Sequence, residues 1–169
     1  GRLAFLKLEH AIAANTEPAI RETQTLVYRE ASPPDSPLVP PDVTDSLFDP
    51  AAWDRVRTLA PSEALLFRFS ALTFNTHRIH YDAPYAREVE RYRGLVVHGP
   101  LISTLLLQLA ADLVGPNALR SFAFTARSPA IAGDTLHLAA RQAGDTLELA
   151  ALNDAGALLT KASAVTGGG

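Results

Sequence analysis

The chain has 169 residues, 47% of them hydrophobic and 20% charged, which suits one domain, or one domain plus part of another, with a buried core. It contains no Cys, which excludes a disulfide framework and a thiol nucleophile. A formal net charge of -3 argues against a general nucleic-acid surface, and apolar runs such as Leu105-Leu106-Leu107 are far too short to cross a bilayer as a helix.

Gly1-Arg2-Leu3 lacks an initiating Met and the regions of a signal peptide, and reads as a processed or truncated start. Residues 3–13 read as a strand, since apolar and polar residues alternate with period two from Phe5 to Glu9. Asn15-Thr16-Glu17-Pro18 is a turn signal. Residues 19–30 then read as a second strand, with Thr23, Thr25, Val27 and Tyr28 favouring β structure. The two form a hairpin, which is marginal alone in water and is expected to join a larger sheet.

Residues 31–61 read as a linker. Pro33, Pro34, Pro37, Pro40, Pro41 and Pro50 stand there among Ser and Asp, and 51–60 is either a short helix or loop. Residues 62–73 read as a strand, from the alternation of Leu66, Arg68 and Ser70 with Phe67, Phe69 and Ala71. A long polar excursion follows over 75–92, with a short helix near 84–90. Val96 and Val97 lead into a helix over 99–113 that is apolar on most faces and ends at Gly115-Pro116-Asn117. Four strand patterns close the chain at 119–128, 134–142, 145–152 and 157–165, with turns at Gly133-Asp134, Gly144-Asp145 and Asp154-Ala155-Gly156. The expected fold is α+β: an antiparallel meander wrapped around one apolar helix, the hot-dog architecture. Gly167-Gly168-Gly169 reads as a flexible tail.

Chemistry concentrates in Asn75-Thr76-His77-Arg78-Ile79-His80-Tyr81-Asp82 and in Gly94-Leu95-Val96-Val97-His98-Gly99-Pro100. A His can move protons near neutral pH, and a helix N-terminus offers free N–H groups to a polarised carbonyl. His80 is the first candidate acid/base, the alternative being a His bonded to a loop carbonyl. Asn75 has an amide to orient water, or caps a turn. His77 reads as a supporting residue; His-x-x-His without a third ligand gives no metal site, and none is expected. Arg78 suits a phosphate or carboxylate, or is a solvated surface residue. Asp82 and Tyr85 bond across the excursion, or Asp82 caps the helix after it. Gly99 lets a ligand approach the backbone, or makes a tight strand-to-helix turn. No nucleophile elbow, P-loop or dinucleotide fingerprint is present.

These residues resemble the MaoC-like, hydratase-2 family of hot-dog enzymes, whose motif is Asp-x-Asn-Pro-(Ile/Leu)-His. Aligned on His80, Asn75 stands at the motif's Asp, His77 at its Asn and Arg78 at its Pro. The longer string from Phe69 to Asp82, with Gly94 to Leu101, is similar to one branch: mesaconyl-CoA hydratases, itaconyl-type hydratases and mitochondrial type-2 3-hydroxyacyl-thioester dehydratases. The likeness continues more weakly through Arg127-Ser128-Pro129 and Gly133-Asp134-Thr135.

The resemblance implies reversible hydration of an enoyl thioester on CoA or acyl carrier protein, without a cofactor. It implies His80 and Asn75 as catalytic residues and Gly99 with His98 at the thioester carbonyl. His77, Arg78, Tyr81 and Val97 are expected to line the substrate. Members of the branch carry two hot-dog units in one chain, so residues 1–30 are expected to be closing strands of a first unit and 62–166 the second. A homodimer is expected, in the cytoplasm, or the mitochondrion of a eukaryote. Two other readings stay open. One is a thioester hydrolase using Asp82 or Glu88. The other is a non-catalytic binding subunit.

Overall fold

The computed structural model describes residues 2–40 and 47–167. The chain divides into two units, Gly1–Pro33 and Pro34–Gly169. The first is a hairpin of β1 (Leu3–Ala14) and β2 (Glu17–Arg29), antiparallel, with Phe5 opposite Val27 and Leu6 opposite Leu26. Asn15 and Thr16 make the turn with positive φ, and the alternation seen in the sequence appears as two faces of one ribbon.

The second unit runs β3 (Arg55–Leu59), α1 (Glu63–Thr73), α2 (Ala83–Glu88), α3 (Gly99–Val114), β4 (Leu119–Ala126), β5 (Leu136–Ala143), β6 (Thr146–Leu152) and β7 (Leu158–Thr166). Its five strands form one antiparallel sheet in the order β3-β5-β6-β7-β4. α3 packs against all five. Leu101, Ile102, Leu106, Leu109 and Ala110 face the sheet and are buried. The other face is not: Leu107 is 40% exposed, and Gln108 and Asp112 bond to Arg57 of β3. Gly115, at φ +96°, stops the helix in a conformation closed to residues with a Cβ.

Three sequence expectations are corrected. Residues 62–73 are a helix, not a strand. Ser62 Oγ accepts the Leu65 N–H as N-cap, and Leu65, Leu66, Phe69 and Ser70, spaced i, i+1, i+4, i+5, face inward. The alternation misled because α1 is also apolar outside, with Phe67 63% exposed. Residues 51–60, read as helix or loop, hold a 3-10 turn at Pro50–Ala52 and then the edge strand β3. The last four strands are not a simple meander. Only β5, β6 and β7 follow one another; β4 pairs with β7, and the 127–135 connection runs past 95–97, the lead into α3, before β5 begins.

From Pro34 on, the described part of the Pro-rich stretch belongs to the second unit. Val39 bridges Tyr92, and the amides of Leu47 and Phe48 reach the Asp154 carbonyl. The expectation for the linker falls partly outside the described residues, at 41–46.

Candidate active site

Three segments meet at the start of α3. The polar excursion closes into a 3-10 turn, Arg78–His80, whose Ile79 carbonyl accepts the Val96 N–H at 2.9 Å. On the far side of 95–97, Val97 N–H reaches the Ala130 carbonyl and Ala132 N–H the Leu95 carbonyl, each at 2.8 Å. The strand pairing there is a single antiparallel bridge, Val96 to Ile131. It fixes the entry of α3, with His98 as N-cap, Gly99 as first helical residue and Pro100 second.

His80 is 7% exposed, and its Nδ1–H donates to the Val96 carbonyl at 2.6 Å. That bond fixes the tautomer and leaves Nε2 with a lone pair. Burial pushes its pKa below the ordinary value, opposed by the Val96 bond, and nearby His77 lowers it further. His80 is therefore neutral near pH 7 and able to take a proton. Its ring stacks on that of His98, centroids 3.7 Å apart and planes at 19°. His98 is fully buried, with Nε2 2.8 Å from Ser70 Oγ and the Phe69 ring edge-on. Burial, then the neighbouring His80, lowers its pKa to about 4.

A cavity of about 330 Å³ opens beside His80, lined among others by Val97, Gly99, Ile102, Arg127 and Thr160. A Cβ built on Gly99 meets nothing within 4 Å, so its backbone faces open space. The Gly99 and Leu101 N–H groups lie in the first helical turn, where no intrahelical acceptor exists. The cavity thus combines an unprotonated imidazole nitrogen, helix N-terminal amides and apolar walls. Such a site can polarise a carbonyl and move a proton beside it.

The structure brings His80, Gly99 and Val97 of the expected site to this cavity. His98 lies behind His80. His77 stands edge-on to His80 with ring centroids 5.7 Å apart. Asn75 is spent locally: Oδ1 accepts the His77 N–H at 3.0 Å in the turn after α1. Arg78 is held by Asp82 at 2.7 Å and lies over the Tyr85 ring at 4.1 Å. Tyr81 donates to the Thr76 carbonyl. Asp82 caps α2, accepting the Tyr85 N–H, and Tyr85 donates to Glu90 instead. Neither Asp82 nor Glu88 lines the cavity, which removes the carboxylate a hydrolase reading needs there.

Sequence reasoning missed Ser70, hidden in a run read as strand, and the Val96 carbonyl, since a backbone acceptor has no signature. Arg127 stands just past the end of β4, and Thr160 stands on β7. Only Arg127 carried any signal, as the start of Arg127-Ser128-Pro129.

Comparison with known proteins agrees with this architecture. The (R)-hydratase from A. caviae superposes with a TM-score of 0.58 at 22% identity, over 66% of this chain and 91% of that one, and shares its fold. The mesaconyl-C(4)-CoA hydratase of Chloroflexus aurantiacus is 43% identical over 132 residues, 76% of this chain and 44% of that protein. The mitochondrial hydroxyacyl-thioester dehydratase type 2 of Schizosaccharomyces pombe is 30% identical over 121 residues, 70% of this chain and 38% of that protein. The chain spans less than half the length of either relative. The profile of one family matches residues 1–132, from the hairpin through α3 and past β4. The chain belongs to that family, hydroxyacyl-thioester dehydratase type 2.

Proposed function

We propose that the protein is a hydro-lyase that adds water reversibly across the α,β double bond of an enoyl thioester carried by CoA or acyl carrier protein. The observation that carries this is the pairing, in one cavity, of His80 Nε2 with the open backbone of Gly99. The thioester carbonyl accepts hydrogen bonds from the first amides of α3, so the electron pair freed by attack at Cβ is stabilised on the carbonyl oxygen. His80 takes a proton from water as its oxygen bonds to Cβ, then returns a proton to Cα. The reverse order removes water. Asn75 acts on the water only through its amide Nδ2, since its Oδ1 already accepts the His77 N–H.

Two finer points belong to the same reading. The substrate's anionic group meets Arg127, the one charged residue among the described residues lining the cavity, rather than Arg78, which Asp82 already holds. A mesaconyl-type acyl group, whose free carboxylate suits a guanidinium, is a candidate substrate, supported by the 43% identical relative. The protein acts as a homodimer. Among the described residues no helix is long and apolar enough to cross a membrane. The test is incubation with crotonyl-CoA: hydration removes the enoyl absorbance without releasing thiol. Thiol release would mean a hydrolase, and no change in either signal a binding subunit.

A further inference from the structure

We propose that Ser70 and His98 are a positioning pair that fixes the ring plane of His80, Ser70 acting only through His98. The proposal rests on the hydration reading for its kinetic part. Three observations carry it. His80 is held in its plane by one hydrogen bond, Nδ1–H to Val96, and a single bond leaves rotation about its own axis open. The second constraint is the His98 ring, stacked on one face at 3.7 Å. His98 in turn is fully buried, its Nδ1 has no hydrogen-bond partner among the described residues, and its Nε2 meets Ser70 Oγ at 2.8 Å. Ser70 is therefore the polar anchor of a ring that would otherwise bury two unpaired nitrogens, a costly state that favours turning away.

Neither Ser70 nor His98 lines the cavity, so neither touches substrate. Their effect passes through the direction of His80 Nε2. A general base tolerates only about 10–20° of misdirection before proton transfer suffers. The pair also explains why a second imidazole stands beside the first without competing for its proton: burial keeps it uncharged. A Phe at position 98 would keep the stacking face yet need no anchor, which gives the proposal a specific signature.

The experiment is a double-mutant cycle on the full chain, with crotonyl-CoA as substrate and thermal melts to verify folding. Ser70→Ala is expected to lower kcat about 10- to 100-fold with KM changed less than about twofold. His98→Phe is expected to lower kcat less than Ser70→Ala does, and adding Ser70→Ala to it to change kcat further by less than about twofold. Ser70→Cys, similar in volume and a weaker partner, is expected to fall between, and is the variant read if Ser70→Ala does not fold. In parallel, the imidazole proton resonances of His80, which lie in the ring current of His98, should move in Ser70→Ala or Ser70→Cys while those of His137, on β5 and bonded to Asp154, stay. Unmoved His80 resonances, an unchanged kcat in a folded variant, or an equal Ser70→Ala effect in both backgrounds would overturn the pair. If the wild type hydrates nothing, the hydration reading falls, and the resonance measurement alone decides whether Ser70 holds the rings.

Discussion

Arg78 and Asp82 form an i, i+4 ion pair, Nη2 to Oδ2 at 2.7 Å, and the same guanidinium covers the Tyr85 ring. The pair raises the Arg78 pKa, and the Asp82 carboxyl sits below its ordinary value because it caps α2 and meets Arg78. A cation so engaged has little left for a substrate. Arg78→Ala is expected to cost little stability, as solvent screening makes exposed pairs weak, and to leave KM within about twofold. Arg127→Ala, at the cavity, is expected to raise KM about tenfold, the worth of one charge-assisted bond. Substrate titrations of the two variants check this, and the opposite ranking would return the anion to Arg78.

His80→Ala is expected to lower hydration about 10²–10⁴-fold, the range for general acid–base catalysis. Asn75→Asp keeps an oxygen to accept the His77 N–H and sets a carboxylate five residues before His80. It is expected to retain part of the activity and to gain a new limb in its pH–rate profile. Unchanged turnover in His80→Ala would remove the imidazole from the mechanism.

Gly99→Ala separates folding from chemistry. The added methyl meets no protein atom within 4 Å and stands in a helix, so stability should hold or rise by up to about 1 kcal/mol. The methyl enters the space from which a carbonyl would approach the first amides. Turnover should therefore fall about 10- to 100-fold in a protein that melts no earlier. Full activity in this variant would place the carbonyl elsewhere.

Buried His98 gives stability a pH dependence of definite sign. Its pKa falls from 6.5 to about 4 on folding, so between these values the unfolded chain binds a proton that the folded chain refuses. His80 is shifted in the same direction. The contribution is complete above pH 6.5 and is lost as pH drops through that window. Urea midpoints measured from pH 7.5 to 4.5 should decline for the wild type, and less steeply for His98→Phe. Parallel slopes would contradict this assignment.

The hairpin exposes Phe5, Ile12, Ile20 and Val27 on a two-stranded ribbon, a structure marginal in water unless its faces are covered. The chain is expected to sediment at twice its 18.1 kDa mass. Placing Lys at both Phe5 and Val27, which face each other across the ribbon, should shift it toward one chain. A single-chain mass for the wild type at micromolar concentration would refute the dimer.

Local signals settled much of this protein from sequence alone. The apolar run of α3 with its Gly115 stop, the glycine turns between β5, β6 and β7, and the hairpin alternation each depend on residues close in the chain, and each appears where the pattern puts it. His80 and Gly99 were legible because a polar knot and a helix start are local features too.

What tertiary structure decided depends on partners far apart in sequence. Residues 62–73 are apolar on both faces of either a strand or a helix, so their own pattern could not choose. Packing of Leu66 and Ser70 against the core did. β4 found β7, not β5, because the crossing segment 127–135 had to supply Ala130 to Val97. The stack of His80 on His98, with Ser70 behind it, joins positions 28 residues apart through burial and one hydrogen bond. No spacing rule encodes that contact: it exists only once α1, the 3-10 turn and the start of α3 exclude water from the same place.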